Sequence, residues 1–373
     1  MTVEPPKAAS GTGSTEAPIS AGSVELLVSI VVNNYNYARF VGTAIESALS
    51  QTYPHIEVVV VDDGSADDSR AVISRFGDRI VPVFKENGGQ GSAFNAGFAA
   101  STGSLVIFLD SDDFLYPTAV ERVVGTFEPG VVKVHFRMTV VDGEGRAMGE
   151  YPSPDSPLHD GDVVPILLER GHYSSAVGSG NAYSRWALER VLPVPEEDYG
   201  YAADGYLIVT VPFHGEVRAI DVPLAAYRQH GGNNSSMATG LDPRGFHFTI
   251  GHQLVLDREI LRRASEAGYP VSGSLVLRDA GHLQARLASL RVFPGVHPVP
   301  GDRRLGLAAR GVLATWRYVD MSTTRRLFDT AWFLSVALLP RSLASRAVAW
   351  KFVRPSRPRA VRWAVRQIRR LTG

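Results

Sequence analysis

The chain has 373 residues, 45% of them hydrophobic and 20% charged, and no cysteine. That is a globular composition with length for two or three domains, or for one large domain with extensions, and it excludes disulfide frameworks, thiolate zinc sites and a cysteine nucleophile. The formal charge is zero, but residues 325–373 hold 12 Lys or Arg and one acid, a net +11, which leaves −11 on residues 1–324.

Residues 1–23 are rich in Pro, Gly, Ser, Thr and Ala and contain no apolar run, so they read as a disordered leader. A secretory signal would need a basic start and an apolar stretch of about 7–15 residues, so secretion is not expected. The apolar run Leu26–Val32 predicts a buried parallel strand. Phe40, Val41, Ala44, Ile45, Ala48 and Leu49 recur at helical spacing over 38–50. Ile56–Val61 predicts a second strand, ending at Asp62-Asp63-Gly64-Ser65. A helix over 67–76, a strand Ile80–Phe84, a glycine-rich loop Glu86–Gly91 and a helix over 92–101 follow. Leu105–Leu109 predicts another strand, ending at Asp110-Ser111-Asp112-Asp113, and Pro117 leads in the next helix. This alternation predicts an α/β fold, a doubly wound, mostly parallel sheet with helices on both faces.

Beyond residue 130 the pattern changes. Val131–Val141 reads as a strand into a turn at Asp142-Gly143, 151–157 as a proline-rich loop, 158–230 as short mixed elements, and 243–292 and 303–319 as helices. The expected organisation is a leader (1–23), a first half-domain (24–130), a second half-domain (131–240), a helical extension (241–324) and a basic amphipathic tail (325–373).

Ligands of open parallel sheets bind outside the carboxyl ends of the strands, and two strands here end in acidic clusters. Gathered carboxylates repel one another unless a cation joins them, and hard divalent cations prefer oxygen ligands. One Asp pair would serve equally as a helix cap or a turn; two clusters on one sheet favour a Mg²⁺ or Mn²⁺ site with room for a phosphate ligand. The loop Asn87-Gly88-Gly89-Gln90-Gly91 is either a tight turn or a place where backbone N–H groups approach a phosphate. No G-x-G-x-x-G follows the first strand and no G-x-x-x-x-G-K-[ST] occurs, which argues against dinucleotide-binding dehydrogenases and P-loop enzymes.

Taken in order, Val28-Ser29-Ile30-Val31-Val32-Asn33-Asn34-Tyr35-Asn36, Ser50-Gln51-Thr52-Tyr53-Pro54, Val61-Asp62-Asp63-Gly64-Ser65, Asn87-Gly88-Gly89 with Asn95-x-Gly97, and Phe108-Leu109-Asp110-Ser111-Asp112-Asp113 resemble the motifs of the family 2 glycosyltransferases. The resemblance covers roughly residues 26–125. It implies the GT-A fold and transfer of a sugar from a nucleotide donor with inversion. By resemblance, Tyr35 and Asp63, with Asp62 near, would hold the nucleobase. Asn34, Asn87, Gly88, Asn95 and Ser111 belong to the same nucleotide-sugar set, Asp110 would contact the ribose or metal, and Asp112 would coordinate the metal. In Ala202-Ala203-Asp204-Gly205-Tyr206-Leu207 only the second acid of the family's pair remains. Asp204 is the candidate general base, with a helix N-cap as the other reading. Tyr227-Arg228-Gln229-His230-Gly231-Gly232-Asn233-Asn234-Ser235 resembles the family's Tyr-Arg-x-His segment. His230 would reach the metal or diphosphate, and Arg228 would pair with phosphate or brace Asp204. Asn33-Asn34 replaces the common Pro-Thr, and Phe94 and Ala203 stand where Arg and Glu are usual.

Trp186, Tyr199, Tyr201 and Tyr206 are either sugar-stacking aromatics or core. Ser179-Gly180-Asn181-Ala182-Tyr183 resembles the family's strand before the acceptor helix. Arg185-Trp186 lacks the Gln of the processive synthases' motif, so single-sugar transfer is favoured. In the tail, Thr330–Pro340 is too short to span a bilayer. Leu327, Trp332, Phe333, Val336, Leu339 and Leu343 are expected on one face, and Trp350, Phe352, Val353, Val361, Trp363, Ile368 and Leu371 mix with arginines. The tail reads as a helix on an anionic membrane surface, as a helix packed on the domain, or as a patch for a polyanionic acceptor. Nucleic acid gains no motif. The expectation is thus a cytoplasmic enzyme, peripheral on the inner face of the cell membrane, taking a nucleotide-diphosphate sugar donor and a saccharide or lipid-linked acceptor. Weaker alternatives are a non-catalytic protein with a degenerate site, and a sugar nucleotidyltransferase, whose Gly-x-Gly-x-(Thr/Ser)-Arg loop is missing.

Overall fold

The structure is a computed structural model that describes residues 26–230, 241–270 and 273–353. The leader, the segment Gly231–Ser235 and the residues Val361, Trp363, Ile368 and Leu371 lie outside the described residues. The first half alternates strand and helix in the expected order. It runs β1 (Val28–Asn34), α1 (Ala38–Leu49), β2 (Ile56–Asp63), α2 (Ser69–Ser74), β3 (Val81–Lys85), α3 (Gly89–Ala100), β4 (Leu105–Asp110), β5 (Phe114–Leu115) and α4 (Ala119–Val124). β1 and β2 run two residues further than their apolar cores, so Asn33, Asn34, Asp62 and Asp63 finish strands instead of opening loops.

The second half holds β6 (Val131–Val141), β7 (Ala147–Tyr151), α5 (Val164–Arg170), β8 (Asn181–Ser184), α6 (Arg185–Val191), α7 (Ala203–Thr210) and β9 (Glu216–Arg228). All nine strands form one sheet, ordered β3-β2-β1-β4-β8-β6-β9-β5, with β7 on β6. Neighbours β3, β2, β1 and β4 are parallel, as are β6 and β9, while β8 is antiparallel to both β4 and β6. A mostly parallel sheet needs cover on both faces. In β1 the two faces separate cleanly: Val28, Ile30 and Val32 join Val41, Ala44, Ile45 and Ala48 of α1, and Val31 joins Ala93 and Phe94 of α3.

Helix α3 lies unusually close to the sheet. A Cβ at Gly97 would stand 2.2 Å from Val31 Cγ1 and 3.1 Å from Val61 Cγ2, both on buried β-branched residues. The residue read as part of a donor motif is therefore a close-packing glycine.

The remaining helices are α8 (Pro243–Glu266), α9 (Ala280–Val292), α10 (Arg304–Arg317), α11 (Thr323–Leu338) and α12 (Arg341–Phe352). Phe246, Ile250, Leu283, Leu287, Leu307, Trp332, Phe333, Val336 and Val348 share one core. The boundary placed at 324/325 falls inside α11, because Trp332, Phe333 and Val336 bury against this bundle and do not form an outer face with Leu327. Leu256 and Ile260 of α8 enter the core that also holds Tyr206 and Leu207 of α7, so the bundle is built onto the sheet through α8.

Gly97→Ala is expected to lower stability by about 1–3 kcal/mol, the cost of overpacking a filled core. Urea unfolding measures it. An unchanged midpoint would show that α3 can move off the sheet without loss.

Candidate active site

The acidic run after β4 divides its labour. Asp110 Oδ1 accepts hydrogen bonds from Asn33 Nδ2 at 2.7 Å and Gln90 Nε2 at 3.1 Å, and the Asp110 N–H donates to Ser179 Oγ at 3.0 Å. Asp113 is buried: its Oδ2 accepts from Ser179 Oγ at 2.8 Å and its Oδ1 from the Arg228 N–H at 2.8 Å. Asp113 is thus committed to bracing the turn. Asp112 stands between them with Oδ2 3.2 Å from His230 Nε2. Burial raises the pKa of all three carboxyls; repulsion from Asp112 adds to the shift at both others, and Asp204 also raises Asp110, which is pushed up to about 8.

Asp204 enters from α7. Ala202 precedes it at φ 56°, in the left-handed region sparsely used by residues with a Cβ. Gln90 spans the gap: its Nε2 reaches Asp110 and its Oε1 accepts from the Ala203 N–H at 2.9 Å. A single helical turn, Gly178–Gly180, closes the arrangement. The Gly178 N–H donates to Asp204 Oδ2 at 2.8 Å, while a Cβ on Gly178 would stand 2.6 Å from Asp110 Oδ2. Only glycine lets two carboxylates from distant parts of the chain flank one residue so closely.

That turn is supported from beneath by the polar face of β6. Lys133 and His135 are fully buried and Arg137 nearly so. Lys133 Nζ donates to Tyr173 Oη at 2.8 Å and Ser175 Oγ at 2.6 Å; His135 meets Ser175 Oγ and the His159 carbonyl; Arg137 Nη1 donates to the carbonyls of Pro152 and Ser153. Asn181 Nδ2 then donates to the carbonyls of Ala176 and Gly178. Burial holds the Lys133 ammonium well below its usual pKa.

Other expected site residues are placed differently. Asp62 is buried and accepts from Asn34 Nδ2 at 2.8 Å and Ser65 Oγ at 2.6 Å. Asp63 Oδ1 takes Lys85 Nζ at 2.6 Å and the Gly88 N–H, and its Oδ2 takes the Gly89 N–H at 2.7 Å, so both oxygens are engaged within the protein. The Gln90 and Gly91 N–H groups donate to the carbonyls of Gly200 and Tyr199. Through these two bonds the glycine-rich loop docks the approach to α7. Gly89, at φ 85°, faces the Gly200 carbonyl with no room for a Cβ. The Asn95 amide pairs with both the N–H and the carbonyl of Val194, at 2.8 and 3.0 Å. Asn87 is exposed, and its backbone lies against Gly64. Tyr199 and Tyr206 are core residues, whereas Tyr201 is 59% exposed and Trp186 lies under the Arg190 guanidinium.

The Arg228 guanidinium donates to the main-chain carbonyls of Asp112 at 2.8 Å and Gly143 at 3.2 Å and lies over the rings of Phe40 and Phe114. These contacts brace the Asp112 segment.

What remains at the strand ends is an open cleft of about 410 Å³ lined by Tyr35, Tyr37, Phe40, Asp67 and His230 among others. Tyr35 is 45% exposed there. Burial, with the charges of Asp112, Asp110 and Asp113, raises the pKa of the Tyr37 phenol, which places that ring beside the acidic cluster. Three buried oxygens at the ends of β1 and β4 make no hydrogen bond: Asn33 Oδ1, Asn34 Oδ1 and Ser111 Oγ. Among the described residues no three His, Asp or Glu side chains form a ready metal cage. Still, the oxygen and imidazole donors of Asp110, Asp112 and His230 suit Mg²⁺ or Mn²⁺, and the clustered carboxylates with the open Asn33, Asn34 and Ser111 oxygens fit a cation with its ligand. Gln90, Gly178, Ser179 and Tyr37 escaped the sequence reading; the polar alternation Lys133, His135, Arg137 inside an apolar strand was the available signal for the support beneath them.

Arg228→Met is expected to destabilise the fold by about 1–3 kcal/mol through buried carbonyls left unpaired, with nucleotide affinity unchanged. Urea unfolding with a parallel nucleotide titration checks it; lost affinity at full stability would return Arg228 to phosphate.

Among known proteins, the sequence model of the family described as Glycosyl transferase family 2 matches residues 29–191. An uncharacterized glycosyltransferase of Nostoc sp. is 41% identical over 217 residues, which are 57% of this chain and 67% of the relative. An uncharacterized glycosyltransferase of Rickettsia prowazekii is 44% identical over 98 residues, 26% of this chain and 31% of that one. The UDP-Glc:alpha-D-GlcNAc-diphosphoundecaprenol beta-1,3-glucosyltransferase WfaP of Escherichia coli is 32% identical over 130 residues, 34% of this chain and 52% of that protein. The chain thus spans two thirds of the Nostoc relative but about half or less of the other two. The structure of S. aureus TarS 1–349 in complex with UDP-GlcNAc shares the fold, with a TM-score of 0.51 at 16% identity over 87% of this chain and 92% of that one. Motif order, sheet topology and these relatives together place the chain in glycosyltransferase family 2, as a glycosyltransferase with the GT-A fold.

Proposed function

We propose that the chain moves a single sugar from a nucleoside-diphosphate donor to an acceptor hydroxyl by one inverting, metal-dependent displacement. The observation that carries this is the flanking of Gly178 by Asp204 on one side and Asp110 on the other, with Asp112 and His230 adjoining. A base and an anion-binding group must act on opposite ends of the bond that breaks, and these residues offer candidates for both.

In this reading Asp204 takes the acceptor's hydroxyl proton. The Gly178 N–H holds Oδ2, which fixes the carboxylate and leaves Oδ1 for the hydroxyl. The oxygen then attacks the anomeric carbon as the bond to the diphosphate breaks, so one displacement inverts the centre. Asp110, Asp112 and His230 would hold the Mg²⁺ or Mn²⁺, which when bound neutralises charge gathering on the departing diphosphate. Tyr35 offers its exposed ring to the nucleobase near Asp62, and Tyr201, two residues before Ala203, is the exposed aromatic placed for an acceptor sugar. The relatives named for UDP-Glc and a diphosphoundecaprenol-linked acceptor, and for UDP-GlcNAc, support a uridine nucleotide donor and a saccharide or lipid-linked acceptor, a pattern suited to polysaccharide or glycoconjugate synthesis.

Asp204→Asn is expected to lower turnover by about 10²–10⁴-fold, the range for loss of a general base, at unchanged donor affinity; near-normal turnover would remove Asp204 from that role. A thermal-shift series of UDP-, GDP- and dTDP-sugars with Mn²⁺ identifies the donor, because a ligand bound only by the native state raises Tm. Equal shifts for all three would contradict base selection by the Tyr35 end of the site.

A further inference from the structure

The bundle carries a surface that the transfer reaction does not use. Helix α11 is apolar on two faces. Its inner face, Trp332, Phe333, Val336 and Ala337, is buried. Its outer face repeats Leu327, Ala331, Leu334 and Leu338 at helical spacing, and the three leucines are 56%, 47% and 67% exposed, with Phe328 at 48%. Trp316 of α10 adjoins this face: its indole N–H donates to Thr330 Oγ1 at 2.9 Å, and it is 41% exposed. Isolated exposed leucines are ordinary, but a continuous stripe along about three turns beside an exposed tryptophan is not.

The charge around the stripe says what covers it. Residues 303–353 contain nine basic side chains and two acids. Both acids are already neutralised: Asp329 is buried and holds Lys351 Nζ at 2.6 Å, and Asp320 pairs with Arg170 of α5. The exposed arginines, Arg310, Arg317, Arg325, Arg341 and Arg346, therefore set the sign of this surface. In sequence alone, residues 354–373 add seven arginines and no acid. A copy of the same face would bring arginines against arginines, so self-association is disfavoured. A partner that is apolar beneath and anionic at its surface complements both features.

We infer that the outer face of α10 and α11 docks on an anionic lipid bilayer, with Leu327, Phe328, Leu334, Leu338 and Trp316 entering the headgroup boundary and the arginines meeting lipid phosphates. No described helix is long and apolar enough to cross a membrane, so the contact is in the plane of the surface. This differs from the sequence expectation in its residues: Trp332, Phe333 and Val336 hold the bundle together and the stripe behind them faces outward. The inference does not depend on the donor or on Asp204.

The test is sedimentation of the full chain with vesicles of phosphatidylcholine alone and of phosphatidylcholine with 30% phosphatidylglycerol, roughly the charge density at which surface arginines each contribute about fivefold in affinity. Binding to the anionic vesicles only, weakened by high salt, is expected. Leu327→Ser/Leu334→Ser/Leu338→Ser and, separately, Arg317→Glu/Arg325→Glu are each expected to weaken it by about tenfold or more. These positions are exposed, so unchanged circular dichroism and Tm should accompany the loss. Wild-type failure to bind anionic vesicles would overturn the inference, as would undiminished binding by both variants. A dimer dispersed by the leucine variant, without vesicle binding, would assign the face to a second copy instead.

Discussion

Carboxylates gathered at the end of one buried strand set the conditions for everything else in this site. Asp110, Asp112 and Asp113 fall within four residues, and Asp204 is brought beside them from α7. Burial disfavours the charged forms of Asp110, Asp112 and Asp113, and repulsion from Asp112 adds to it at the other two. The fold answers with neutral donors: Asn33, Gln90 and Ser179 reach the first and third acids, and Arg228 supplies a main-chain N–H to Asp113 while its guanidinium grips the carbonyls around Asp112. Asp113 is satisfied by this. Asp110 and Asp112 still stand close together as like charges, an imbalance that a bound cation would offset.

Holding such an imbalance requires a rigid frame. Gly178 is the point where the two halves of the site meet, and its turn comes from a stretch, 171–180, with little regular structure of its own. Rigidity reaches it through Lys133, His135 and Arg137, which project from a central strand as buried donors and tie down the segments around residues 152–159 and 173–175. A buried lysine without a paired carboxylate is costly unless its N–H groups are satisfied; here Tyr173 and Ser175 satisfy them, and Tyr173 passes the restraint to α7 through the Ile208 carbonyl. The geometry of Asp204 is thereby linked to the middle of the sheet.

The first four parallel strands and their helices were legible because their signals are local: apolar runs of strand length, helical spacing in 38–50, and acids where runs stop. Order along the chain also singled out Asp110, Asp112 and His230, and the fold sets His230 beside Asp112. Roles set by long-range contact were not legible. Asn95 and Val194, Gly89 and Gly200, Arg228 and the Asp112 carbonyl are pairs separated by about a hundred residues, and nothing in either partner's neighbourhood announces the other. A loop glycine such as Gly89 left two readings open because close approach of backbone to phosphate and of backbone to protein ask for the same residue. The tail misled for a related reason: α11 is apolar on opposite faces, and sequence alone does not say which one the bundle takes.

The neutral total charge thus divides by position, with acids concentrated where a donor and cation would sit and arginines around an apolar stripe on the helical bundle. The proposed chemistry requires that Asp110 and Asp112 hold a cation together with a nucleotide. Electron paramagnetic resonance of free Mn²⁺, recorded as the chain is added with and without UDP, addresses this directly. The prediction is that the free-ion signal falls when chain and UDP are both present, and that Asp112→Ala abolishes the fall. Nucleotide binding that is unchanged by Asp112→Ala and by chelation of all Mn²⁺ would contradict the account.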